Sequence, residues 1–354
     1  MNILIVGAGP TGLTAGLELA RRGITPTIVD KRESASTLSR AVGITSRSLE
    51  ILSRSGAAER LIEEGIAMEG LKVYVGDRLV MEVPLYSDRT YYQHVLGLAQ
   101  DRTEAIMADT LTSLGVAVRY GVAVVGLTEN SDHVVVRYSD DTEEAFEQVI
   151  GADGTRSTVR EQAGIGYPGH DLPQIWSIAD VDCDDWRHPG RVTVVRAAPG
   201  KTIVVGPLGS TRYRLVASHE DAIEALPLPM NIKNVRSEGK FTISVRQAET
   251  YSKGRVHLAG DAAHCHVPIG GRGMNLGIAD AAELTKQLIE GGDMDEYSSI
   301  RHSYGAATLK VTERGRKMAG GINLPRRAAF RLLTTVVNAI GPVKRRLGRF
   351  LVEF

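Results

Sequence analysis

From Ile3 to Val6 every position is apolar with a β-branched bias, the pattern of a strand buried on both faces. The period then changes. Leu13, Leu17 and Ala20 share one face of a helix predicted over 13–22, and Gly23 supplies its stop. Pro26 to Val29 reads as a second strand that ends at Asp30. Ser46 to Ser53 reads as a helix stopped near Gly56, and strands at 71–75 and 79–83 flank a Gly76-Asp77 turn. Asp101 and Glu104 have the spacing of a capping box for a helix reaching Gly115. Strands are predicted at 116–120, 122–127 and 133–138, the last two joined by a hairpin-like turn at Glu129-Asn130-Ser131-Asp132. Strands recur through 174–250, notably at 202–205, 213–217 and 242–245, and a helix is predicted over 274–289.

Glycines interrupt this pattern in three places. Gly7, Gly9 and Gly12, with Pro10 and Thr11 between them, form G-x-G-x-x-G between the first strand and the first helix. There Gly7 allows the tight turn, Gly9 lets a pyrophosphate approach the backbone, and Gly12 with Gly16 lets helix and strand pack closely. The helix N-terminus offers N–H groups and a partial positive charge to the phosphates. Asp30 stands at the distance expected of an acceptor for a ribose hydroxyl, and Lys31 and Arg32 follow, where a basic residue can also face a phosphate. The bland alternative is a glycine-rich turn without a ligand.

The second interruption is Asp153-Gly154, at the end of the apolar Val149-Ile150 run, with Ser157 and Arg160 following. A carboxylate at a strand's C-terminal edge suits ligand binding in an open α/β sheet. Equally, Asp153 suits an N-cap or turn, with Arg160 as its ion-pair partner. The third follows the predicted strand 255–259. Gly260-Asp261 there offers a carboxylate to a sugar-chain hydroxyl, and Pro268, Gly270, Gly271 and Gly273 lead through Met274 and Asn275 into a helix whose N-terminus can face an anionic flavin ring. The alternative is a glycine-rich loop capping an ordinary helix. One such motif is weak evidence; three in this order read as an FAD-dependent enzyme.

Motif-bearing segments alternate with strand-rich segments that carry none. This predicts an α/β chain: a Rossmann-type FAD-binding domain (1–70, 100–175 and 255–315), an inserted, mainly antiparallel β-sheet substrate domain (71–99 and 176–254) and a helical C-terminus (316–354). In 354 residues Lys+Arg equals Asp+Glu, so nothing global points to nucleic acid. Two cysteines without C-x-x-C spacing fit free thiols in a cytoplasmic protein, and neither a signal peptide nor a membrane span is expected. His264-x-His266 beside Cys265 has no further ligand cluster, so no metal is expected.

The three motifs, Gly7-x-Gly9-x-x-Gly12, Asp153-Gly154 and Gly260-Asp261 followed by Pro268, resemble those of the class A flavoprotein monooxygenases, the p-hydroxybenzoate hydroxylase-like aromatic hydroxylases, over residues 1–315. The resemblance is to a short form without the C-terminal thioredoxin-like domain of larger antibiotic-pathway hydroxylases. It implies bound FAD, NADPH or NADH as co-substrate, and O2 used to hydroxylate a phenolic or polycyclic aromatic molecule through a flavin C4a-hydroperoxide. It further implies that Arg40 contacts FAD or the nicotinamide side, that Gln100 contacts the FAD chain, and that Asp153-Gly154 serves both cofactors. Pro268 and the 270–273 loop would line the junction of flavin and substrate, which makes Arg40, Pro268 and Gly270 the candidate catalytic positions. His264 and His266 would belong to the same flavin loop, and Arg272 departs from the glutamine frequent in relatives.

Two other readings stand beside this one: a flavin-dependent reductase of the geranylgeranyl reductase type, and a non-catalytic flavin redox sensor. Tyr86, Tyr91 and Tyr92 are either pocket-lining or packing residues. From Arg326 the tail carries seven basic residues and one acid, Glu353, while Phe330, Leu333, Val337 and Ile340 recur at helical spacing. The expectation is a cover packed on the flavin domain or a dimer mate, with Gly341-Pro342 breaking the helix; membrane contact is the less favoured alternative. The chain is expected to be a monomer or homodimer.

Overall fold

The computed structural model describes residues 1–35, 41–198, 201–268, 271–319 and 334–353. Arg40 and Gly270, and with them Phe330 and Leu333 of the tail, lie outside the described residues.

The first strand, Ile3–Val6, sits in the middle of a six-stranded sheet ordered Ser252–Lys253, Val256–Leu258, Gln148–Gly151, Ile3–Val6, Thr27–Asp30, Val118–Tyr120. All neighbours pair in parallel except the edge strand Ser252–Lys253. Its residues Ile3, Leu4 and Ile5 are completely buried, as an unbroken apolar run in a doubly covered sheet requires. Thus the strands before each of the three glycine motifs are adjacent, and the motifs emerge together at their C-terminal ends.

A second sheet of eight strands is ordered His264–Cys265, Asn234–Gln247, Gly169–Asp182, Arg212–Ala217, Lys201–Pro207, Arg191–Ala198, Gly70–Val75, Arg78–Pro84. It is antiparallel apart from the pairing of 191–198 with 70–75. Two three-stranded antiparallel sheets complete the β-structure of the described residues. The fold is therefore the mixed α/β arrangement expected, with a Rossmann-type parallel sheet and a larger antiparallel one.

Several elements depart from the pattern reading. The first helix, Pro10–Ala20, begins three residues early because Pro10 occupies its first turn, where the missing N–H costs nothing. No capping box forms at Asp101 and Glu104. The helix Gln100–Ser113 starts at Gln100 behind Ala99, without a side-chain cap, and Glu104 is buried on other partners. The strand predicted at 242–245 is only the end of a 14-residue strand, Asn234–Gln247, whose first half is solvent-exposed and so reads as polar.

The tail also differs from expectation. A helical segment covers 334–339, and Gly341 and Pro342 open the next helix, Gly341–Glu353, rather than ending the preceding one. The tail packs mainly on the eight-stranded sheet and also touches the parallel-sheet domain, where the Phe350 ring lies near Arg272. Val337 is buried among Val73, Met81 and Val83, and Val352 among Met68, Leu85 and Val95. Gly348 lies so close to Pro84 that a Cβ there would collide with its carbonyl oxygen. The tail covers the edge strand Arg78–Pro84 of the eight-stranded sheet, which otherwise would offer an unpaired edge.

Candidate functional site

At the first motif the glycines serve the close approaches their spacing predicts. Gly7 takes φ +107°, and a Cβ on it would strike the backbone oxygen of Ala152 in the second motif. A Cβ on Gly12 would strike Gly7 O, so the helix can lie directly on the turn only because both are glycine. At Gly9, by contrast, a Cβ meets nothing within 4 Å, so open space adjoins the start of the helix. The first-turn N–H groups facing that space have no partners within the helix. Thr11 joins the first motif to the third: its Oγ1 lies where a Cβ on Gly260 or on Gly277 would fall.

Asp30 is buried at the end of the second strand and accepts the Ala8 N–H at 2.7 Å. Arg32 does not reach outward to a phosphate-binding position. Its guanidinium folds back on Asp30, with Nε at 3.0 Å and Nη2 at 2.9 Å, and on Glu104 at 3.1 Å. Burial alone would raise Asp30, yet these bonds hold its carboxyl below the usual range. Lys31 is exposed. Gln100 donates to Glu104 at 2.8 Å and accepts from the Ala41 N–H at 3.0 Å, which ties residue 41 to the same cluster.

At the second motif Asp153 makes local bonds at the start of a short helix. The carboxylate accepts Ser157 Oγ–H at 2.5 Å and the Val159 N–H at 3.1 Å; Ser157, not Asp153, is the N-cap of the short helix Thr158–Gln162. Arg160 is not its ion-pair partner. It is buried, donates to Ala262 O at 2.9 Å and Thr155 O at 3.1 Å, and lies 3.8 Å over the ring of Tyr167. Tyr167 in turn donates its hydroxyl to Asp261 O at 2.9 Å. Arg160 and Tyr167 therefore staple the second motif to consecutive carbonyls of the third. Gly154, at φ +82°, borders open space.

The third motif rests on a residue that the pattern reading missed. Asp280, fully buried, accepts the Gly260 N–H at 3.1 Å, His264 Nε2–H at 2.5 Å and Arg301 Nε–H at 2.6 Å. Burial would raise its pKa, but His264 and Arg301 hold it low. A sequence signal did exist: Asp280 is a lone acid in the run Gly277-Ile278-Ala279-Asp280-Ala281-Ala282, on a core-facing position. Asn275 Oδ1 accepts the Thr45 N–H at 2.8 Å, and its Nδ2 donates to Gly43 O and Gly271 O at 2.9 Å each. This fixes the start of the helix Arg272–Glu290, entered through left-handed Gly271. Gly273 and Met274 are half-buried beside it, and Pro268 is exposed. Arg272 is buried, with its pKa pushed down to about 10 by desolvation, and lies 5.4 Å from the Phe350 ring.

His264 and His266 diverge, and no cluster of three metal-ligating side chains occurs among the described residues. Tyr91 is 85% exposed, whereas Tyr92 is half-buried, packs against the hydrophobic core and donates to Glu59 at 2.9 Å. A buried ion pair also escaped the sequence reading: Arg214 makes two bonds to Asp180, at 2.6 and 2.8 Å, and a third to Ala41 O at 2.7 Å. It joins the eight-stranded sheet to the segment that follows Arg40.

Residues 1–313 match a family model described as an FAD binding domain. The chain belongs to this family, the class A flavoprotein monooxygenases. It is 32% identical to the rifampicin monooxygenase of Streptomyces venezuelae over all of this chain and 75% of that protein. The solved p-nitrophenol 4-monooxygenase of Pseudomonas putida superposes with a TM-score of 0.88 at 24% identity, covering 98% of this chain and 96% of that one. The anhydrotetracycline hydroxylase of Streptomyces rimosus superposes with a TM-score of 0.78 at 28% identity, covering 99% and 76%. This flavoprotein monooxygenase is thus an FAD-dependent oxidoreductase, not a non-catalytic sensor. No helix among its described residues is long and apolar enough to cross a membrane.

Proposed function

We propose that the protein hydroxylates an aromatic small molecule, phenolic or polycyclic, with NADPH or NADH as reductant and O2 as the oxygen source. The observation that carries this reading is the convergence of all three glycine motifs at one end of the parallel sheet, beside open space at Gly9 and Gly154. FAD, once reduced by the nicotinamide, supplies the activation of dioxygen. The chain supplies placement. Gly7, Gly9, Pro10, Thr11 and Gly12 cradle the pyrophosphate at the helix N-terminus. Asp30 takes a ribose hydroxyl, which requires Arg32 to share that carboxylate, and Gln100 flanks the same chain. Asp261 takes a ribityl hydroxyl, and the N-terminus of Arg272–Glu290, with Gly271, Gly273, Met274 and Asn275, faces the flavin. Asp153 and Gly154 border the nicotinamide approach, and Arg40, Pro268 and Gly270 the reacting end. We assign residues 1–70, 100–175 and 255–315 to FAD, 71–99 and 176–254 to the substrate, and 316–354 to the cover.

Two measurements test the reading. Because a Cβ at Gly9 meets no protein atom, Gly9→Ala should melt like wild type yet bind FAD at least tenfold more weakly. Wild-type affinity in that variant would move the pyrophosphate elsewhere. With an aromatic substrate, 18O2 should label the product; label taken from water instead would exclude monooxygenation.

A further inference from the structure

His266 holds a buried hydrogen-bond acceptor that the protein leaves unused. The side chain is 8% exposed, and its Nδ1 lies 2.9 Å from Val267 O. A carbonyl only accepts, so Nδ1 carries the proton of that bond. Burial, reinforced by the charges of His264 and Arg272, pushes the pKa of His266 down to about 4, so the ring is neutral near pH 7. A neutral imidazole has one N–H. With that N–H committed to Val267, Nε2 presents a bare lone pair, and it has no hydrogen-bond partner in the protein.

The position of that nitrogen is informative. Nε2 lies 3.9 Å from the position a Cβ would take on Gly273, and Asp261 Oδ1 lies 4.0 Å from the same point. Two acceptors therefore border one space in front of Gly273, at the start of the Arg272–Glu290 helix. A buried unpaired acceptor is costly, and folded proteins seldom retain one without use. Neither the Asp280 network nor the Arg160 staple involves it.

We propose that His266 Nε2 accepts a hydrogen bond from the bound cofactor, completing an acceptor pair with Asp261. This rests on the placement of FAD beside Gly273 given above. The donor falls in one of two classes: a group present in both redox states, such as a ribityl hydroxyl or the ring N3–H, or a ring N–H that exists only in the reduced state. An acceptor with a fixed tautomer cannot serve a flavin acceptor atom, so it discriminates between these donors and the rest of the ring.

The test uses His266→Phe, which keeps ring bulk without an acceptor, and His266→Gln, which can restore one. Three quantities are measured on each full-length protein: the melting temperature of apoprotein, the dissociation constant of oxidised FAD, and the midpoint potential of bound FAD. Apo His266→Phe should melt close to wild type, because removing the unpaired Nε2 acceptor offsets the lost Nδ1–H bond to Val267 O. If the donor is present in both states, oxidised FAD binds about tenfold more weakly and the potential is unchanged. If it is an N–H formed only on reduction, oxidised affinity is unchanged and the potential falls by about 30 mV for each tenfold loss in reduced-state affinity. His266→Gln should recover part of either effect. An unchanged dissociation constant together with an unchanged potential overturns the proposal. A large drop in apo melting temperature also overturns it, because His266 would then act through the fold. Wild type that takes up no FAD would instead overturn the site assignment on which the proposal rests.

Discussion

Replacing Arg160 by Met separates a structural staple from a ligand contact. The side chain is 4% exposed and makes two charge-assisted bonds, to Ala262 O and Thr155 O, over the face of Tyr167. Each bond from a charged donor contributes about 1.5–3 kcal/mol, and a desolvated cation–π contact adds about 1–2 kcal/mol. Against this, Met fills much of the aliphatic stem's volume and removes a guanidinium whose burial is itself costly by several kcal/mol. The losses exceed the gain, because Ala262 O is left buried and Thr155 O half-buried without that donor, and a net cost of about 2–4 kcal/mol is expected. Urea denaturation of the apoprotein measures it. Tyr167→Phe, which loses the bond to Asp261 O, should cost about 1 kcal/mol. The double variant should cost less than the sum, because both staples hold adjacent carbonyls of one turn. An apo destabilisation below about 1 kcal/mol, with FAD affinity falling a hundredfold, would refute the reasoning: Arg160 would then act on the ligand and not on the fold.

Asp280→Asn leaves Arg301 buried against a neutral amide and should destabilise the apoprotein by about 3–5 kcal/mol in urea; adding Arg301→Met should recover part of the loss, and additive losses would refute the pairing. Buried His257 and His266 both have pKa values pushed down to about 4, against about 6.5 when unfolded, so the unfolded chain binds more protons between these values. Stability is therefore full above pH 6.5 and falls toward pH 4, by on the order of 3 kcal/mol for each histidine. A melting temperature flat across that window would contradict the assignment. Deleting residues 334–354 should expose the apolar face of Val73, Met81 and Val83, lower the melting temperature and cause self-association in sedimentation. A monomeric truncation with wild-type melting, alongside flotation of the intact protein on anionic liposomes, would show the tail to be a membrane contact and not a cover.

What the chain encodes locally was legible from it. The run Ile3–Val6 can be buried on both faces only as a central strand, and Gly7 and Gly12 stand where a side chain would collide with a neighbouring backbone oxygen. Strand, turn and helix follow from period and backbone freedom, and those are properties of a few consecutive residues. What the charges pair with was not legible, because partners are chosen by which strands become neighbours. Arg32 turned to Asp30 and Glu104, Arg160 to Ala262 rather than Asp153, and Asp180 met Arg214 across two strands. Likewise the exposed half of Asn234–Gln247 reads as loop until Gly169–Asp182 pairs with it, and the tail's apolar face has no address until Arg78–Pro84 is an edge. Local sequence sets the conformations each segment can take. Only the assembled sheets decide which buried charges and apolar faces find one another, because most of those pairings join different elements, 34 residues apart for Asp180 and Arg214 and 102 for Arg160 and Ala262, and leave no period behind.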